Sequence, residues 1–360
     1  MRVAFTLFIG WFVAIHLFEL VVFPSMFHPN EVLSSVTLTQ RFTLIWTNNA
    51  DTAHYMAIAK NGYVGENAAF FPLWPLTIRV LGSSPVVAKI VASLFTFLFV
   101  ILLGRLVSIL GYSRIKEQVL LIFLAFPSSF LLLGTFSEPL FLPLTALTFI
   151  LTEKKYIGFA AFVAALASAT RPVGIVLTFY LALKIAQGGF PSLKKYWWTL
   201  LVSPLGLVFY ALYLFLAFGD FTLFWTDQTA GWGRQIGLHS FPKLMLDSAE
   251  VVRQVFGPVK PPPINFLQVA VIPFTAFLGV LSFKKINKPM WIYSMLLILI
   301  PLSSGTYLAS LREILAAFPL FIPFADFLAK RKTFLYLYLF LAILFQSLLL
   351  IRFFNFEWVA

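Results

Sequence analysis

The stretch Trp46-Thr-Asn-Asn-Ala-Asp51-Thr-Ala-His54-Tyr55 carries an acid, an imidazole and a phenol at positions i, i+3 and i+4. On a helix that spacing puts Asp51, His54 and Tyr55 on one face. Side chains of these types in mutual reach can move protons and hold polar ligands. Asn48 or Asn49 is suited to cap such a helix, and Gly62 to end it. Met56, Ile58 and Ala59 supply apolar contacts, so the helix is expected along a membrane surface. Plainer readings stay open: Asp51 also suits a first turn through the helix dipole, and His54 also suits interfacial packing. Next comes Tyr63-Val-Gly-Glu66-Asn-Ala-Ala-Phe70-Phe71-Pro72-Leu-Trp74-Pro75, a stiff aromatic turn of the kind that settles at an interface. Other chemistries lack their residues. Cys is absent, which removes disulfides, iron–sulfur clusters and thiolate zinc sites. His16, His28, His54 and His239 are never within metal-ligand spacing of one another. No two acids lie at i, i+2, and neither GxxxxGK[ST] nor G-x-G-x-x-G occurs. No metal and no cofactor is expected.

The elements that must position these residues follow from composition. Hydrophobic residues make up 60% of the 360 and charged residues 11%, against roughly 45–50% and about 25% in a soluble domain. No water-soluble fold hides that much apolar surface behind so few charges. The chain is therefore read as an all-α polytopic membrane protein of one domain, 1–360. A soluble enzyme, a disordered chain and a nucleic-acid partner are excluded despite a pI of 9.8. In a membrane protein the +12 charge speaks first of topology.

Val3–Phe23 reads as an uncleaved first span. Ten more fit near 85–109, 118–134, 136–151, 156–170, 172–187, 197–217, 264–282, 289–304, 312–329 and 333–352, giving about eleven. The pair 118–134 and 136–151 is short and reads as a hairpin that does not fully cross at its tip. With the N-terminus inside, every short inside connection is basic, while short outside turns hold only Arg171 and Arg312. Two long segments, 24–84 and 218–265, then fall on the same outer side and carry interfacial helices. No internal repeat and no pair of matched discontinuous helices is evident, which disfavours a transporter.

Asp51-x-x-His54-Tyr55-x-x-Ile58-Ala59-x-x-Gly62-Tyr63, then Glu66, then Ala69-Phe70-Phe71-Pro72-Leu-x-Pro75, resembles the first-loop signature of the PIG-V-like GPI mannosyltransferases, members of the GT-C glycosyltransferases. Further pieces follow in register over roughly residues 40–320: Pro127-Ser-Ser-Phe130, Phe136-Ser-Glu138-Pro139, Ser168-Ala-Thr-Arg171-Pro-Val-Gly174, Phe218-Gly-Asp220 with Gln228 and Trp232-Gly-Arg234, and Pro301-Leu-Ser-Ser-Gly305 with Arg312. The resemblance implies a GT-C-like bundle and an inverting transfer of a sugar, mannose first, from a polyprenyl- or dolichyl-phosphate donor. The acceptor would be an extracytoplasmic glycan, glycolipid or protein; membrane lipids are the other partners. The site would face the extracytoplasmic side of a multi-pass protein, in the cell membrane of a prokaryote or the ER membrane of a eukaryote. Asp51 matches the family's general base. Arg171, Arg234, Arg312, His54 and Lys60 are candidates for the donor phosphate, which needs positive charge as it leaves. Tyr55, Tyr63, Glu66, Phe71, Trp74, Glu138, Gln228 and Trp232 would support the site. A monophosphate leaving group held by arginines fits the absence of an acidic i, i+2 pair.

Several charges keep a second reading. Arg171 also suits snorkelling at the interface, Arg312 with Glu313 a boundary pair, and Glu138 a satisfied helix start rather than a cavity-facing acid. Asp220 suits a helix cap near Phe221, and Asp227 a solvated loop position. Glu19 is placed near the outer end of the first span, Asp326 near the inner face. The alternative function is a transporter or flippase of a lipid-linked or amphipathic anion; a scaffold subunit would need no acid at position 51. The orientation has a direct test, since the chain has no Cys of its own. In sealed cells an impermeant thiol reagent should label a Cys placed beside Asp51 and spare one beside Lys154; the reverse pattern overturns the topology.

Overall fold

Prolines, glycines and buried polar residues cut the apolar stretches into helices of unequal length. In a computed structural model describing residues 2–23, 37–64, 67–234, 237, 240–257 and 263–359, every regular element is helical and no strand occurs among those residues. Among them Arg2–Val22, Pro85–Ile109, Asn265–Ser282 and Lys332–Phe354 are long and apolar enough to cross a bilayer. Leu205–Phe218 and Leu223–Gly231 meet at 83° and make a fifth if they are one broken span. Ile157–Ser168, Pro172–Ala186, Lys288–Leu302 and Phe318–Ala329 are apolar but shorter. The 12 residues of Ile157–Ser168 reach about 18 Å, against roughly 30 Å of hydrocarbon. Length and composition thus identify four or five membrane-capable helices, and the other expected spans are shorter helices bundled with them. These helices are compatible with an integral membrane protein.

The hairpin read over 118–151 has an irregular tip. Lys116–Ala125 and Glu138–Glu153 are helices, and between them only Ser129–Leu133 makes a 3-10 turn. Residues 126–137 are buried throughout. Irregular backbone away from water must find its partners inside the protein. Gln346 Nε2 donates to the carbonyls of Leu124 and Phe126 at 3.1 and 2.9 Å, and Thr96 Oγ1 to Leu132 O at 2.6 Å. The Thr135 N–H donates to Trp46 O at 2.9 Å, and Trp74 Nε1 donates to Thr135 O at 2.8 Å. The Ser128 hydroxyl donates to the Leu311 carbonyl. Through these bonds Glu138 starts its helix at a fixed place in the interior. Trp74, expected to support a site, is buried here as a brace for this connection and does not line the Asp51 cavity described below.

Two glycines set the approach of neighbouring helices to Ile157–Ser168. A Cβ on Gly206 would stand 2.1 Å from Ala165 O, and one on Gly174 would stand 2.5 Å from Ala167 O. Close crossing at both points fixes the end of Ile157–Ser168 and with it Arg171. Gly206→Ala should therefore lower the melting temperature by several degrees, since overpacking costs about 1–3 kcal/mol. Gly10→Ala, where nothing lies within 4 Å, should not. Thermal unfolding of the two variants in the same detergent makes the comparison.

Candidate active site

Asp51 opens the helix Asp51–Asn61. The cap expected at Asn48 or Asn49 is instead Ala50, with φ 51° and no side-chain cap. Asn49 is engaged elsewhere: its Nδ2 donates to Phe353 O at 2.9 Å, while Asn48 closes the preceding helix Leu38–Thr47. Gly62, at φ 81°, ends the Asp51 helix as its sequence position suggests. Tyr55, Met56, Ile58 and Ala59 bury against Phe70, Trp74 and Ile78. The helix is therefore packed into the protein on its apolar side rather than laid on lipid by those residues.

Four remote segments bring charges to the start of this helix. Arg312 Nη1 donates to Asp51 Oδ2 at 2.6 Å. Arg312 Nε stands 2.9 Å from Glu138 Oε1 as an ion pair, and Glu138 Oε2 has no hydrogen-bond partner among the described residues. Arg171 Nη1 donates to the same Glu138 oxygen, and Arg171 Nη2 donates to Glu313 Oε1 and Oε2 at 2.9 and 3.0 Å. Glu138, Glu313, Arg171 and Arg312 are buried, whereas the Asp51 side chain is 22% exposed. A cavity of about 370 Å³ gives it that exposure, lined also by Tyr55, Phe71, Arg171, Gln228 and Arg234. Arg234 makes no ion pair among the described residues. It senses Glu313 and Asp51 only at longer range.

These neighbours tune Asp51. Burial alone would push its carboxyl up, but the charge and hydrogen bond of Arg312, with Arg234 and His54 behind, hold it below the usual carboxylate range. Burial, then the Asp51 charge, pushes the Tyr55 phenol up, so it stays protonated at neutral pH. Burial lowers the Arg234 guanidinium, and Glu313 restores only part; an arginine remains charged regardless. The arrangement holds a carboxylate at the edge of a largely apolar cavity, beside a guanidinium that has no ion pair among the described residues.

The remaining expected residues divide. Gln228 and Phe71 line the cavity. Tyr63 lines a neighbouring one and donates its hydroxyl to Phe70 O at 2.6 Å. His54 is exposed, stacks on Phe70 with centroids 4.6 Å apart and meets Asn67 Oδ1 through Nδ1 at 2.8 Å. Lys60 is not brought to the cavity: it is exposed in the last turn, nine residues and about 13 Å along the helix from Asp51. Glu66 and the Trp232 side chain lie outside the described residues. Arg171 and Arg312, expected as free phosphate ligands, are paired with carboxylates because charges at that depth need partners.

Charged residues read as lying outside the site also matter. Glu313 is no boundary residue but bridges to Arg171; an acid within an apolar run is the signal that could have shown it. Asp227, read as solvated, is buried and accepts the Ala68 N–H at 2.9 Å, tying Leu223–Trp232 to the aromatic turn. Asp220, expected to cap a helix near Phe221, accepts from the N–H and hydroxyl of Thr222, both at 2.7 Å; Thr222 itself is the N-cap of that helix, and no side chain caps it. Glu19 does not reach the cavity: it is buried with His16 and accepts from Trp46 Nε1 at 3.0 Å. Asp326 pairs with Lys330 at 2.8 Å. Among the described residues no three of His, Asp and Glu converge as a metal would require. Compared with known proteins, the chain matches no family model, no curated protein and no solved structure.

The paired and unpaired arginines should respond differently to loss. Arg312→Met strands Asp51 and leaves Glu138 to Arg171 alone, and should destabilise by about 3–5 kcal/mol. Arg234→Met breaks no ion pair and should cost under about 1 kcal/mol. Because the Asp51 pKa is depressed on folding, its contribution is present above the ordinary carboxyl range and is lost as pH falls through the folded value. Melting temperatures across acidic pH should therefore fall less steeply in Asp51→Asn than in the parent chain.

Proposed function

We propose that the protein is a GT-C-type glycosyltransferase of the PIG-V-like kind, a bundle of about eleven membrane-crossing segments with its reaction on the extracytoplasmic face. The reaction is transfer of a hexose, mannose in the first instance, from a polyprenyl- or dolichyl-phosphate to a hydroxyl of a glycan, glycolipid or protein. The observation that supports the reading is that Asp51 lines one cavity together with Arg234, the guanidinium without an ion pair among the described residues. A second cavity of about 550 Å³, lined by Ile58, Leu166, Phe209 and Tyr213, adjoins the Asp51 cavity across Phe71 and Tyr210 and suits the tail of a lipid donor.

Chemically, the acceptor hydroxyl oxygen attacks the sugar C1 from the face opposite the phosphate. The C1–O bond to phosphate breaks, the electron pair leaves with the lipid phosphate, and the configuration at C1 inverts. Asp51 takes the hydroxyl proton as the bond forms. Its Oδ2 accepts from Arg312, which leaves Oδ1 for the acceptor. Arg234 meets the charge developing on the leaving phosphate. Arg171 and Arg312 with their carboxylates hold Asp51 in place.

A second reading, an exporter or flippase of a lipid-linked anion, is favoured by the 83° break between Leu205–Phe218 and Leu223–Gly231, since broken helices line transporter sites. Phe224, Trp225 and Gln228 of the helix after that break line the Asp51 cavity.

Purified protein given polyprenyl-phosphate-mannose and a panel of acceptors, with products read by mass spectrometry, decides between them. Glycosylated product is expected, with full activity in excess EDTA and no loss of rate on mild acidification, because the base is held below the usual range. Asp51→Asn should cost about 10²–10⁴ in rate, and Arg234→Met should raise donor KM more than acceptor KM. Donor moved across vesicles without sugar transfer would replace this reading with the second.

A further inference from the structure

A second basic site lies at the other end of the helix that Glu138 begins. Glu138–Glu153 has 16 residues, so its last turn is about 24 Å from Glu138. There a groove of about 510 Å³ opens between the ends of Pro85–Ile109 and Glu138–Glu153 and the start of Lys116–Ala125. Its floor is apolar, with Ile101, Leu102, Leu147, Ile150 and Leu151. Three cations from three separate helix ends line it: Arg105, Lys116 and Lys154. None of them makes an ion pair among the described residues. The carboxylate nearest in sequence to Lys154, Glu153, is already engaged by Lys184 at 2.8 Å and Asn287 at 3.0 Å. The Lys116 stem runs over Gly104, where a Cβ would stand 3.6 Å from its Cδ. That position brings an ammonium to the groove from a stem lying on the helix.

A general excess of basic residues in one set of loops accounts for lysines that point into water. It does not account for three unneutralised cations meeting around an apolar trough. Like charges gathered around one groove repel, and an anion between them removes the repulsion. The trough below demands hydrocarbon. We propose that this groove binds one anionic phospholipid, its phosphate held by Arg105, Lys116 and Lys154 and an acyl chain laid along Leu147, Ile150 and Leu151. Exposed Tyr156 at the mouth sits where an aromatic meets the headgroup region. The site stands on its own geometry and does not depend on the reaction assigned to the Asp51 cavity.

The test uses the full chain in neutral detergent, titrated with phosphatidylglycerol or with phosphatidylcholine of the same chains and read by native mass spectrometry. Phosphatidylglycerol should be retained as a single tight adduct and phosphatidylcholine should not. Arg105→Gln/Lys116→Gln/Lys154→Gln should weaken the adduct at least about tenfold, in line with the worth of basic residues beside anionic lipid. Lys194→Gln/Lys195→Gln/Lys332→Gln, which removes as many charges elsewhere, should leave it unchanged. Leu147→Trp, which fills the floor and keeps every cation, should also weaken it. Equal retention of the two lipids overturns the site without any variant. So does an equal loss in the control triple, or displacement by inorganic phosphate alone at concentrations near those of the lipid.

Discussion

A charge inside this protein has to be met by another charge, and that requirement ties the fold together. Glu138, Arg171, Arg312 and Glu313 are each too deep for water to solvate them, and Asp51 reaches water only through the cavity. Removing any partner leaves an uncompensated ion in a medium of low polarisability. Arg171 lies 33 residues from Glu138 and 142 from Glu313, and Arg312 lies 261 from Asp51. Four stretches of chain are thereby held at one point. The bundle around them is apolar and largely without direction; the ion cluster supplies the direction.

A second constraint acts on the backbone. Residues 126–137 leave the helical state in the middle of the protein, and every donor and acceptor freed there needs a substitute for water. Gln346, Thr96, Trp46 and Trp74 provide several of these from four other helices. This irregular stretch stops Lys116–Ala125 short and starts the next helix at Glu138. The glycines at 174 and 206 do the corresponding work for Arg171, by removing side chains where two helices cross. Site geometry therefore rests on residues that touch no ligand cavity.

Local features of the chain were legible in the sequence. The i, i+4 spacing of Asp51 and Tyr55 does put both on the cavity, and Gly62 does stop their helix. These depend on neighbours within a turn. Features that depend on distant partners were not. Nothing near Asn49 says that its carboxamide is needed by Phe353 O, so Ala50 takes the capping position. Nothing near Asp227 says that the Ala68 N–H waits for it. Hydropathy detects apolar runs and does not detect the breaks within them, so eleven runs resolve into four or five long helices and several short ones. Arg171, Arg234 and Arg312 look alike in sequence; only the arrival of three carboxylates separates the two that are paired from the one that is not.

The separation of Asp51 and Arg312 along the chain has a consequence for synthesis. Ribosomes add about 5–20 residues per second, and 261 residues lie between the two partners. Asp51 therefore waits on the order of ten to fifty seconds before its arginine exists. Glu138 waits for Arg171 only a few seconds, and that pair can enter the bilayer as a neutral unit. Through the longer interval the Asp51 carboxylate keeps its hydration, because residues that enclose it, Arg234, Arg312 and Glu313, have not yet been made. The cavity is complete only when they have been added, so a nascent chain halted before residue 312 presents its own carboxylate, still hydrated, to whatever factors attend the growing bundle.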